Sequence, residues 1–111
     1  MQRERRILRR LVVKSGGGVL FLKAADIDWI EASCNYVTLH AGKDLHMLRT
    51  TMSALEPKLD PEQFVRVHRS AIVNLDCIRE MQPWFRGEQI LVLKNGTQLS
   101  VGRTFRGKLL Q

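Results

Sequence analysis

Two arginines and a histidine fall within four residues at Arg66-Val67-His68-Arg69, ahead of Ser70 and the apolar run Ala71-Ile72-Val73. If Val65 and Val67 face a core, period-two alternation turns Arg66 and His68 outward, and Arg69-Ser70 stand where a strand breaks into a loop. An arginine on such a loop can offer its planar fork to guanine O6 and N7, or to a phosphate. A solvated strand face would give the same residue pattern, and this segment alone allows both readings.

Other groupings carry less chemistry. His40, His46 and His68 have no metal-ligand spacing; His40 and His46 flank a hairpin and supply two ligands at most. Cys34 and Cys77 lie far apart without CxxC spacing, which fits reduced thiols better than a disulfide or a redox pair. Gly16-Gly17-Gly18 lacks the Lys-Ser/Thr pair and the following helix of a phosphate loop. No serine sits in a nucleophile elbow. The expectation is a protein that is not an enzyme, with no metal and no cofactor.

The 111 residues fit one small domain, and 44% apolar content supplies a core without staples. Formal net charge is +7, unevenly spread. Residues 1–14 hold six basic groups and one acid, and residues 94–111 hold four basic groups and none. Residues 15–63 hold four basic groups against seven acids. Such an excess points to a polyanion, whether DNA, RNA or an anionic membrane surface, or else serves solubility alone. There is no apolar run long enough to span a membrane and no secretion-signal pattern, so a cytoplasmic location is expected.

The elements that must position these residues read mainly as short strands. Leu11–Lys14 and Val19–Leu22 flank the glycine turn, and Ala24–Ile27 reads as a helical turn. Trp29–Ala32 and Tyr36–His40 flank a break at Ser33-Cys34-Asn35. Ala41–Asp44 reads as a hairpin turn before Leu45–Leu48. A threonine-capped short helix fits Thr50–Glu56, with Met52 and Leu55 inward. Phe64–Arg69, Ala71–Asn74, Ile78–Met81, Gln89–Leu93 and Thr97–Val101 complete the strands, and Asn95-Gly96 suggests a two-residue type I′ turn. Phe105–Leu110 suggests a terminal helical turn. The sum is a mainly β domain of eight to ten strands with one or two short helices. Residues 1–10 read as a linker or N-terminal extension, and 11–111 as the domain.

Three blocks in order resemble the LytTR family of bacterial DNA-binding domains. They are Asp26-Ile27-Asp28-Trp29-Ile30-Glu31-Ala32 with Asn35-Tyr36-Val37-Thr38-Leu39; Phe64-Val65-Arg66-Val67-His68-Arg69-Ser70 with Ile72-Val73-Asn74; and Leu99-Ser100-Val101-Gly102-Arg103-Thr104-Phe105. The resemblance implies an elongated stack of small antiparallel sheets, about ten short strands, that docks with loops in successive major grooves. It implies a response-regulator output domain acting on promoter direct repeats in duplex DNA, as a homodimer formed on the DNA, with a receiver or other regulatory domain N-terminal to it.

By position, the resemblance assigns base contacts to Asn35, Arg69 and Arg103. Asparagine suits adenine and arginine suits guanine. Lys14, Tyr36, Arg66, His68 and Ser70 fall to backbone contact or loop support. Asn35 also fits a plain turn residue, Tyr36 half-buried packing, and Arg103 a surface charge. Ala71 and Gly102 depart from the family's frequent aromatic and serine, and Gly102 suggests a looser approach to Arg103. The alternative is a protein-interaction or sensory β-module whose basic ends bind an acidic partner. Trp84-Phe85-Arg86 would anchor that interface, unless the aromatic pair covers one end of the core.

Overall fold

The computed structural model describes residues 7–110. The charged segment at residues 1–6, read above as part of a linker, lies outside the described residues. Leu8 and Arg9 already bond into the domain: Leu8 N–H donates to the Lys58 carbonyl (2.7 Å), and the Arg9 carbonyl accepts from Ala24 N–H (2.9 Å).

Ten strands form three antiparallel sheets. β1 (Arg10–Ser15) pairs with β2 (Gly18–Lys23). A five-stranded sheet follows the order β5 (Asp44–Leu48), β4 (Tyr36–Ala41), β3 (Trp29–Ser33), β7 (Ala71–Asn74), β6 (Phe64–His68). The third sheet runs β10 (Gln98–Val101), β9 (Gln89–Leu93), β8 (Ile78–Pro83). Two four-residue α-helices, α1 (Met52–Leu55) and α2 (Arg106–Leu109), and four single 3-10 turns, the first at Ala24–Asp26, complete the described residues. The threonine cap is Thr51, whose Oγ1 accepts from Ala54 N–H at 3.1 Å while Met52 and Leu55 are buried.

The five-stranded sheet is the middle layer, and both its faces pack. On one side Ile27, Ile30, Val37, Leu39, Phe64 and Ile72 meet Leu11 and Val13 of β1 and the buried residues of α1. On the other, Val67, Ala71 and Val73 meet Leu91, Leu93, Leu99 and Val101. That is why β7 is buried at all four positions, including its one polar residue. Asn74 N–H₂ donates to the Ile27 carbonyl (2.9 Å) and its Oδ1 accepts from Asp76 N–H (3.0 Å), so the buried amide is satisfied.

The type I′ turn expected at Asn95-Gly96 is absent. Asn95 keeps negative φ while its Oδ1 accepts from Thr97 N–H (2.9 Å), leaving only Gly96 left-handed (φ 92°) in a loop that ends at Gln98. Paired positive φ occurs instead at Gly16 and Gly17 (52° and 83°), the two-residue turn between β1 and β2.

The two cysteines are free thiols in unlike settings. Cys34 is exposed, whereas Cys77 donates to Asp28 Oδ1 at 3.4 Å. Burial pushes the Cys77 thiol up to about 11, helped by that carboxylate. At pH 7 roughly one Cys77 in ten thousand is then thiolate. Iodoacetamide at neutral pH is expected to label Cys34 and leave Cys77 unmodified in the native state, read by peptide mass spectrometry. Equal labelling would contradict this burial.

Candidate nucleic-acid interface

The three loops carrying Asn35, Arg69 and Arg103 leave the molecule along one edge, and strand register explains why. β3 and β4 meet at the two-residue turn Cys34–Asn35, with Ser33 opposite Tyr36. β7 lies beside β3 with Ala71 opposite Glu31, so the β6–β7 turn at Arg69–Ser70 exits at the same end. Ala32 N–H donates to the Ser70 carbonyl at 2.9 Å and ties the two turns together. Gly102 N–H donates to the Val67 carbonyl at 2.8 Å, which seats the end of β10 against β6. The order along the edge is therefore Asn35, Arg69, Arg103.

All three side chains are exposed, and none has a hydrogen bond or ion pair among the described residues. Their turns, by contrast, are built. At the first, it is Cys34 and not Asn35 that takes positive φ (55°), so Asn35 is not the left-handed residue of the turn.

The middle turn is held by residues that the sequence pattern aimed at solvent. The register between β6 and β7 shifts between Arg66 and His68, a β-bulge around Val67. Arg66 lies opposite Ile72 and His68 opposite Ala71, and those partners belong to cores on opposite sides of the sheet. Both are consequently half-buried. Arg66 Nη1 donates to Glu56 Oε1 (3.1 Å), Nε to the His68 carbonyl (3.2 Å), and Nη2 to the Arg69 carbonyl. The guanidinium is thus committed within the protein and supports the loop. His68 Nδ1 accepts from Ser70 N–H (3.2 Å) and lies 2.8 Å from Ser70 Oγ, which closes the turn from the other side.

A lysine cannot span three acceptors with one ammonium. Arg66→Lys is expected to cost about 1 kcal/mol in urea unfolding. A change smaller than about 0.5 kcal/mol would mean that the three bonds carry little.

Gly102 is held more firmly than its lack of a side chain suggests. Its N–H and carbonyl are both bonded, the latter to Phe105 N–H (3.0 Å), and an added Cβ would lie 3.0 Å from the Phe105 ring. The missing side chain lets that ring close over the base of the Arg103 loop.

Lys14 and Tyr36 share a groove with Val12, Met47, Leu48 and Arg49 beside the first loop, and both are exposed. Arg49 is a basic residue that the sequence reading did not single out. Hairpin counting would have found it, since Ala41 opposite Asp44 and Val37 opposite Leu48 put the next position across from Tyr36. Arg106 was missed likewise and lines a groove with His68 and Arg103. His40 and His46 face opposite sides of the sheet, as their partners Leu45 and Leu39 show, and His40 instead stacks on Trp29 and bonds Glu31 at 2.9 Å. Among the described residues, no group of three or more His, Cys, Asp or Glu could hold a metal ion.

The model of the LytTr DNA-binding domain family matches residues 17–111. The chain belongs to this family. Among its relatives, the sensory transduction protein LytT of Bacillus subtilis is 30% identical over 100 residues, 90% of this chain and 42% of that protein. The transcriptional regulatory protein LytR of Staphylococcus aureus is 32% identical over 95 residues, 86% of this chain and 39% of that protein. The LytTR domain thus spans about two-fifths of the length of these relatives. Its fold matches the LytTr DNA-binding domain of a protein described as a methyl-accepting/DNA response regulator from Bacillus cereus. That match has a TM-score of 0.82 at 23% identity, covering 93% of this chain and 97% of the other. The stack of small antiparallel sheets expected from the sequence is the fold observed. No helix among the described residues is long and apolar enough to cross a membrane.

Proposed function

We propose that this domain binds a specific duplex DNA sequence and regulates transcription from it, reading bases with Asn35, Arg69 and Arg103. One observation carries the reading: three loops aligned on one edge, each presenting an exposed, unpaired side chain suited to base edges. Arg66, His68 and Ser70 hold the middle loop; Lys14, Tyr36, Arg49 and Arg106 flank the readers and meet phosphate or sugar. The molecule measures 46 × 42 × 24 Å, so either long dimension exceeds one helical turn of roughly 34 Å. That reach supports contact with successive major grooves.

The regulatory role extends from the relatives named for transcriptional regulation and sensory transduction, whose additional length fits a receiver or other regulatory domain ahead of this one. In this reading the chain ahead of Leu8 is the connection and the remainder the binding domain, working in the cytoplasm. Two copies occupy a promoter direct repeat as a homodimer assembled on the DNA.

Selection of bound sequences from a random duplex library tests this. A motif repeated at fixed spacing is expected to emerge. Recovery of unenriched sequence at physiological salt would contradict specific recognition. Lys14→Ala is expected to weaken all duplexes alike and to reduce the salt slope by about one, read by titration across salt concentrations.

A further inference from the structure

The β8–β9 connection carries two exposed aromatic side chains in succession. Trp84 is 52% exposed and Phe85 72%, so the pair does not cover the core. The rings instead pack edge to face on each other, with centroids 5.3 Å apart. Two backbone bonds close the turn: Trp84 N–H donates to the Glu88 carbonyl (2.7 Å), and Glu88 N–H to the Phe85 carbonyl (3.0 Å). At its apex Arg86 takes φ 57° and Gly87 φ 77°. Left-handed backbone is disfavoured at an arginine, where glycine would adopt it freely. An exposed arginine held in that conformation is an outlier that asks for a use.

Strand register says where this turn points. Val101 lies opposite Gln89, and Gln89 opposite Pro83, so the turn leaves the third sheet at the end where β10 delivers Arg103. Gly87, Glu88 and Gln89 line one groove together with Gly102, Arg103 and Arg106. The edge therefore continues past its third loop to a fourth. Glu88 is the one acidic residue in the turn, against Arg86, Arg103 and Arg106 nearby.

We propose that the Trp84–Gly87 turn is a fourth DNA-contacting element, seated on the duplex that flanks the Arg103 end of the recognised site. Arg86 contacts a phosphate there, and the Trp84–Phe85 pair lies against deoxyribose and base edges in the adjoining minor groove. Apolar side chains at such positions pack on sugars or wedge between base steps, and a neighbouring arginine draws them to the polyanion. The proposal rests on the three-loop reading above and extends the footprint beyond it.

The test compares full-length and trimmed duplexes carrying the selected site, with about five base pairs, half a helical turn, removed from the Arg103 side. The wild-type chain is expected to lose roughly tenfold in affinity on trimming. Phe85→Ala/Arg86→Gly should lose less than about twofold, having already lost most of that contact. Arg86→Gly alone removes the charge and relieves the left-handed strain, so weaker binding with an unchanged or raised melting temperature excludes a folding defect. Equal trimming losses in wild type and variants, with specific binding intact, would overturn this inference and leave the three-loop reading standing. Variants that bind DNA normally but lose self-association would assign the turn to a protein contact and overturn it too. A wild-type chain without sequence preference would remove both readings.

Discussion

Arg103→Ala is expected to weaken binding to the selected site by about 1–3 kcal/mol and to relax base preference at one position. The magnitude follows from what the side chain does in the free protein, which is nothing structural. Arg103 is exposed and makes no hydrogen bond or ion pair among the described residues, so truncation leaves no buried partner unsatisfied. Its loop stays anchored by Gly102 N–H on the Val67 carbonyl. Melting temperature should therefore hold, while binding to scrambled duplexes falls only by the loss of one charge. Arg69→Ala should behave the same way at a different base, because the clamp on that turn is Arg66 and not Arg69. The double variant is expected to lose preference at both of those positions and keep only the preference read by Asn35. A fall in melting temperature matching the loss of binding would show that these arginines hold the fold instead.

Asn74→Ala is the counterpart, with a large expected effect on stability. Asn74 is 1% exposed, the one buried polar residue among those described, and joins β7 to the Ala24–Ile27 turn. Removing its amide strands the Ile27 carbonyl without its side-chain donor and Asp76 N–H without an acceptor, and it opens a small cavity. Together these are expected to cost about 2–4 kcal/mol, or roughly 10–20 °C in melting temperature. Chemical unfolding and calorimetry measure it directly. Asn74→Asp restores the acceptor and not the donor, and it buries a charge, so it should fare no better. A change below about 0.5 kcal/mol would mean that the network carries little.

Much of the fold was legible because its strands are short and its turns are punctuated. Gly16-Gly17, Cys34-Asn35 and Lys43 with its glycine neighbour all mark real hairpins. The three sequence blocks also fall in the right order to build one edge. What periodicity could not show was the bulge at Val67. One extra residue breaks strict alternation and sends Arg66 and His68 to opposite faces, turning two outward candidates into loop supports. The Asn95-Gly96 turn misled for a similar reason: an Asn side chain can satisfy the loop itself and so keep ordinary backbone. Arg49 follows from counting across the Ala41–Asp44 hairpin, and Arg106 shares a groove with Arg103, three residues before it. Trp84 and Phe85 allowed two readings, and their exposure removes the one that placed them over the core.

The central claim is that three loops on one edge read bases in the order Asn35, Arg69, Arg103. Repeating the random-duplex selection with Asn35→Ala, Arg69→Ala and Arg103→Ala tests it most directly. Each variant is expected to lose preference at one distinct base cluster, and the three clusters should lie along the duplex in that order. Three variants that keep the wild-type motif, or that lose the same positions together, would contradict the claim.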